Sequence, residues 1–263
     1  MKFYRIKALI IRHLYLYQRS VPRLMDIFFW PVMELLVWGF LSLYLQKNNL
    51  AGFNVVTILL GAIIFWDLLS QSQRAVSTAF LEDVWEKNFL NIFITPLKIS
   101  EFLTSTVLIG LIRIIMVAVV VGVLSFVLYG FNILIFGLYL VPFVFNLLIF
   151  GWILGLFTTA IILRYGTQAQ VLAFGFIFLI QPFSAVFYPV SILPSAVQWL
   201  AYALPSTYVF EGMRAVVASG LFSWQLFYYS LTANIVYFVL TLWLFYATLA
   251  KVKEKGLLLK LDQ

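Results

Sequence analysis

Four of the chain's ten carboxylates, Glu82, Asp83, Glu86 and Glu101, crowd into one short stretch, "EDVWEKNFLNIFITPLKISEF" at 82–102. A second polar set, Asp67, Gln71, Arg74 and Thr78, recurs at i, i+4, i+7 and i+11, one face of a helix. Glu34 and Arg113 stand alone in apolar surroundings. None of these patterns is catalytic. The absence of cysteine excludes disulfides, thiolate metal sites and cysteine nucleophiles. The single histidine, His13, lies in a basic N-terminal stretch, so neither a histidine-pair zinc site nor a serine-histidine-acid triad can form inside an apolar body. No GxxxxGK[ST] loop is present to cradle nucleotide phosphates. This chain is expected to bind no metal and no nucleotide, which leaves its charged residues recognition, ion pairing, or lining a route for a polar solute.

The elements that must position them are membrane helices. The 263 residues are 64% hydrophobic and 10% charged, where a soluble domain carries about a quarter charged residues. A hydrocarbon core takes about 20 apolar residues as helix, which places spans near 27–45, 55–80, 102–128, 133–163, 169–187 and 225–250. The fourth run is too long for a perpendicular crossing, so either Pro142 kinks it or its first turns lie at the interface. The predicted fold is an all-α membrane protein of six transmembrane helices in a single domain over 1–263, without internal repeats or linkers. No cleavable signal peptide is expected, because the first long apolar run is a full span.

Basic residues resist translocation. With the N-terminus inside, thirteen Lys and Arg fall in cytoplasmic segments and two in external ones, so both termini are expected in the cytoplasm. The net charge of +7 then reflects topology and anionic lipid, not nucleic acid. Phe3, Ile6, Ile10, Leu14 and Tyr17 share one helical face, with Lys2, Arg5, Arg12 and Arg19 roughly opposite. Residues 1–26 are read either as an amphipathic helix on the inner leaflet ending in an elbow at Pro22, or as a plain basic anchor.

Trp85, Phe89, Ile92 and Phe93 form an apolar stripe, which makes 82–95 an amphipathic cytoplasmic helix stopped by Pro96. Its acid suits a partner protein better than anionic lipid; the alternative is a solvated loop with snorkelling aromatics. At 181–216 stand Pro182, Pro189, Pro194 and Pro205, half of the chain's prolines. No plain span survives that density, and 188–224 is read as an external re-entrant helical hairpin, its second limb stabilised by a Glu211–Arg214 pair. The stripe at Asp67, Gln71, Arg74 and Thr78, with Glu34 and Arg113, either lines a translocation route or makes structural pairs, Glu34–Arg113 among them. Aromatics, 19% of the chain, form interface belts or a path for an amphiphile.

The basic amphipathic N-terminus, the six spans, the acidic helix ending "FITPLKISEF", and the P-x6-P-x4-P run leading through "LPSTY" to "EGMRAV" together resemble the permease subunits of the ABC type-2 transporter family, bacterial exporters. The resemblance covers essentially the whole chain. It implies a homodimer or a pair of permeases in the bacterial plasma membrane, bound to two separate ATPase subunits that hold ATP and magnesium. It also implies that 82–95 is a coupling helix in an ATPase cleft, with Glu82, Asp83, Trp85, Glu86 and Phe89 as its contact edge, and that Arg5 and Arg12 belong to the connecting helix. Pro189, Pro194, Pro205, Glu211 and Arg214 would shape the re-entrant region.

The function expected is ATP-driven export of a small amphiphilic or drug-like substrate, with lipid-linked polysaccharide as the alternative cargo. An importer is disfavoured because no Glu-Ala-Ala loop with a following glycine is present. An intramembrane enzyme lacks a catalytic constellation. A channel or secondary carrier would work without an ATPase, and no inverted repeat supports it.

Overall fold

The structure, a computed structural model, describes residues 2–48, 55–85 and 96–254. Among these residues there are helices and no strands. The α-helices are α1 (Phe3–Gln18), α2 (Val21–Lys47), α3 (Val55–Trp85), α4 (Ile99–Tyr129), α5 (Leu140–Tyr165), α6 (Val171–Ile180), α7 (Ser195–Ala203), α8 (Pro205–Ser219) and α9 (Trp224–Glu254). Five are long and apolar enough to cross a membrane: α2, α3, α4, α5 with the turns before it, and α9. They coincide with five of the expected spans.

The sixth expected span, 169–187, is not a continuous α-helix. Only the ten residues of α6 are α-helical, between 3-10 turns at Gly166–Ala169 and Gln181–Phe183. Ten α-helical residues rise about 15 Å, half a hydrocarbon core. Pro182, which has no N–H to continue the ladder, falls where the α-helix gives way. The fourth span breaks at Gly137, not at Pro142. A 3-10 segment, Ile133–Tyr139, leads into α5, and Gly137 takes φ 53° and ψ −135°, a conformation essentially reserved for glycine. Pro142 sits in the first turn of α5, where its missing N–H would have had no helical partner.

Helix α3 is the axis of the bundle. It packs against α2, α4 and α5 along its length and also meets α6 and α8. Phe65, Trp66, Leu69 and Leu81 are fully enclosed, and so are Ser72, Gln73 and Ser77. Helices approach this polar axis closely because they present glycine to it. A Cβ on Gly151 of α5 would lie 2.4 Å from Ser72 Cβ and 2.7 Å from the Leu69 carbonyl oxygen; one on Gly155 would lie 2.7 Å from the Gln73 carbonyl oxygen. On α4, a Cβ at Gly110 would lie 2.5 Å from Ala75 Cβ. Such contact lets Ser72 Oγ donate to the Leu148 carbonyl at 2.8 Å. In apolar surroundings helices gain more from close packing and hydrogen bonds than from further hydrophobic burial. Helix α9 packs on the other side of α5, where Asn234 Nδ2 donates to the Asn146 carbonyl and side-chain oxygens, both at 3.1 Å.

Gly151→Ala should therefore cost about 1–3 kcal/mol through overpacking, measured by reversible unfolding in mixed micelles. Gly122→Ala, on the same kind of helix but with open space around the added methyl, should be near neutral.

Candidate functional site

The polar residues collect in three places: the foot of α1 and α4, the face of α3, and the proline-rich region before α9. At the first, Lys98-x-x-Glu101 opens α4. Glu101, at the third helical position, turns back so that its Oε2 accepts from the Lys98 backbone N–H at 3.0 Å, which supplies a partner for a donor the helix leaves free. The same carboxylate reaches α1. Its Oε1 accepts from the Lys2 backbone N–H at 2.7 Å, and its Oε2 lies 3.3 Å from Arg5 Nη1, which also donates to the Pro96 carbonyl. Glu101 is fully buried in this knot. Twelve residues further along each helix, the Arg113 guanidinium lies 5.5 Å from the Tyr17 ring centroid. Equal steps on α1 and α4 mean that the two run side by side in the same direction. The face that α1 buries carries Ile6, His13 and Tyr17, while Phe3 is exposed. The expected apolar face holds at Ile6, Ile10 and Tyr17, and is corrected at its start: Phe3 is exposed, and Arg5 does not point away from the bundle but anchors it. Arg12 is half-buried on the same helix.

The segment 82–95 was expected to be a separate helix. Its first four residues instead continue α3, which runs unbroken to Trp85. Glu82 is buried, with Oε2 3.7 Å from His13 Nδ1, too long for a hydrogen bond and an ion pair only when the imidazole is protonated. It is therefore not on an open contact edge. Asp83 and Trp85 fall in the last turn of α3. Glu86 and Phe89 lie outside the described residues.

On the face of α3, Asp67 Oδ1 and Arg74 Nη2 are 3.9 Å apart. A Glu34–Arg113 pair does not form. Glu34 lies eleven residues along α2 from Arg23, which shares a cavity with Arg113, and that is roughly 16 Å of helix. Gln71 has a specific duty. Pro31 interrupts α2 and cannot donate to the carbonyl four residues back, that of Ile27; Gln71 Nε2 donates to that carbonyl at 3.3 Å instead. Thr78 Oγ1 is buried without a hydrogen-bond partner.

In the third place, each proline sits where its missing N–H costs nothing: Pro189 just before the 3-10 turn Val190–Ile192, Pro194 just before α7, and Pro205 as the first residue of α8. The loop between is held by two charges on α8. Glu211 Oε1 accepts from the Val190 N–H at 2.8 Å. Arg214 Nη1 donates to the carbonyls of Ala185 and Val186 at 2.8 and 3.2 Å, and the two side chains pair at 3.2 Å. Ala185 has φ 51°, a left-handed conformation that alanine holds only against strain. The pair expected within α8 is present, and it also serves as the substitute partner for irregular backbone.

The sequence matches the ABC-2 type transporter family over residues 4–218, from the first turn of α1 to the end of α8. The chain belongs to that family. No curated protein matches it. Members are the membrane components of ABC transporters; they are not themselves catalytic and work with an ATPase subunit. The permease thus has its family's stretch spread across all three polar places.

Several residues that organise these places had no partner assigned from sequence: Glu101, counted only among the clustered carboxylates, Tyr17, placed only on an apolar face, and Pro31, Gly151 and Gly155, which were not singled out. Two had local signals. Glu101 stands five residues after Pro96, at the third position of the helix that follows, and "GWILG" is a Gly-xxx-Gly pair in an apolar helix. Pro31 and Gln71 had none, because they are 40 residues apart and meet only in the folded bundle.

Gln71→Leu should destabilise the permease by about 1–3 kcal/mol, the cost of a buried carbonyl left without a donor. Pro31→Ala, which restores the helical N–H, should relieve most of that loss, so a double-mutant cycle by unfolding in micelles should show strong coupling. Glu101→Ala should free α1. Limited trypsinolysis of the detergent-purified protein should then cut within residues 5–23 well before the parent protein is cut there.

Proposed function

We propose that the permease is the membrane half of an ABC exporter, moving a small amphiphilic or drug-like molecule from the cytoplasm or inner leaflet. Two copies of the chain pair with two ATPase subunits, which hold ATP and magnesium. The cytoplasmic face is the one carrying both termini and the 86–95 segment, in keeping with the distribution of lysine and arginine, and the membrane is the bacterial plasma membrane. Residues 166–183 supply the sixth crossing: the flanking 3-10 turns add about 2 Å per residue to α6, for a reach of about 29 Å in all. Helices α7 and α8 form the external re-entrant region.

The observation that supports coupling most directly is the knot at Glu101. The 86–95 segment leaves the end of α3 and returns at Pro96, whose carbonyl is bound by Arg5. An ATPase that grips this segment therefore pulls on α3, the axis of the bundle, and through Arg5 and Glu101 on α1 and α4 together. Glu86 and Phe89 provide the charge and the ring for the cleft. Arg5 is the connecting residue, and Glu82 steadies α3 against His13 from within. Asp67, Gln71 and Arg74 act as structural groups of the axis rather than as the lining of a route. Membership in a family that works with an ATPase favours this reading over an autonomous channel or carrier.

Affinity capture of the tagged permease from native membranes in mild detergent should recover a Walker-type ATPase at equal stoichiometry. Glu86→Lys should reduce that recovery without lowering membrane insertion, because reversing one charge at an interface acts through complementarity. Full recovery and normal transport by the variant would remove 86–95 from the coupling role.

A further inference from the structure

Where α1 turns into α2, the bundle forms an open-sided cavity of about 290 Å³ that the transport reading leaves unused. Its polar wall is made by Arg23, Thr78, Glu82 and Arg113, and its apolar wall includes Pro22 and the half-exposed ring of Phe174. Arg113 is 3% exposed. Among the described residues it makes no ion pair, its Nε has no hydrogen-bond partner, and its guanidinium merely faces the Tyr17 ring. Thr78 Oγ1 and Glu82 Oε2, in the same wall, also lack hydrogen-bond partners. Tyr17 OH, just behind, lacks one too, and burial pushes its phenol up, away from ionising. A buried guanidinium with no carboxylate within ion-pair distance, and a buried carboxylate oxygen without a donor, are each costly unless something fills the space between.

The depth of the cavity indicates what fills it. Arg113 lies 16 residues from Tyr129 at the far end of α4, roughly 24 Å of helix. Thr78 lies 23 residues from Val55 at the far end of α3, roughly 35 Å. Across a hydrocarbon core of about 30 Å, these positions straddle the boundary on the α1 side, where the phosphates of a leaflet begin. Phe174 of α6 lines it, and Val171 and Phe178, three and four residues away on that helix, are exposed apolar side chains as well.

We infer that this cavity binds one phospholipid headgroup: a phosphodiester, held by Arg113 and Thr78, that carries its own hydrogen-bond donor, amine or hydroxyl, for Glu82. Arg23 adds positive charge at the rim. The fit excludes headgroups without a donor, because Glu82 would then remain unsatisfied beside a phosphate. It also predicts that lipid, not soluble phosphate, is the ligand, since the apolar wall and Phe174 offer contact only to the glycerol and acyl region. The inference stands whether or not the permease exports an amphiphile.

The test is native mass spectrometry of the full chain, purified in mild detergent with any subunits it retains, titrated with phosphatidylethanolamine, phosphatidylglycerol, phosphatidylcholine or diacylglycerol. The first two should give a one-to-one adduct; phosphatidylcholine should bind about tenfold more weakly, and diacylglycerol more weakly still. Arg113→Gln should weaken the adduct about tenfold. Thr78→Val, nearly isosteric and so a check against misfolding of the arginine variant, should weaken it by less, and Glu82→Gln should narrow the preference over phosphatidylcholine. Equal binding of all four lipids, or an adduct indifferent to Arg113→Gln in monodisperse protein, would overturn the inference. So would displacement of the lipid by excess inorganic phosphate, which would make the ligand a soluble anion.

Discussion

A polar helix at the centre of an apolar bundle is the constraint from which the other arrangements follow. Helix α3 carries Asp67, Ser70, Gln71, Ser72, Gln73, Arg74, Ser77 and Thr78 within twelve residues and buries nearly all of them. The hydrocarbon core supplies no hydrogen bonds, so each group must find a partner on a neighbouring helix or in a polar space at the edge of the bundle. That demand explains why α5 meets α3 through Gly151 and Gly155 and why α4 meets it through Gly110: only bare backbone comes near enough for short polar side chains to reach. It also explains the pairing of Pro31 with Gln71, in which one helix's missing donor is replaced from the next.

The same economy governs the foot of the bundle. Glu101 accepts from its own helix, from the N–H of Lys2 and from Arg5, so a single carboxylate defines the start of α4 and the attachment of α1. Because α1 then runs alongside α4 up to the Tyr17–Arg113 contact, the basic N-terminal helix belongs to the body of the protein rather than only to the leaflet. The lever proposed for coupling and the cavity proposed for lipid share this unit: Glu82 at the end of α3 faces His13 on one side and the cavity on the other.

Between α6 and α9 the chain abandons long helices, and irregular backbone must be satisfied in another way. Glu211 and Arg214 do this at fixed points, the N–H of Val190 and the carbonyls of Ala185 and Val186. Further bonds come from Ser206 to Ser184, from Ser230 to the Pro205 carbonyl and from Tyr237 to the Ala203 carbonyl. Charged and hydroxyl side chains on regular helices thus act as surrogate backbone for the turns beside them.

Composition and local pattern were enough to indicate a helical membrane protein, five of its candidate spans and the proline-rich interruption. Those properties depend on the length of apolar runs and on where proline and glycine fall, which are local quantities. The pairings were not legible in the same way. Gln71 with the Ile27 carbonyl, Arg5 with Glu101 and Glu82 with His13 join residues more than 40 positions apart. Their choice depends on helix rotation and crossing distance. Even the end of α3 was displaced, because "EDVW" has a helical pattern whether it opens a new helix or closes the old one. Sequence alone determined which helices are long and apolar enough to cross a membrane; tertiary structure decided which polar groups meet among them, because in a low-dielectric interior partner choice is set by distances of a few ångströms that no single helix contains.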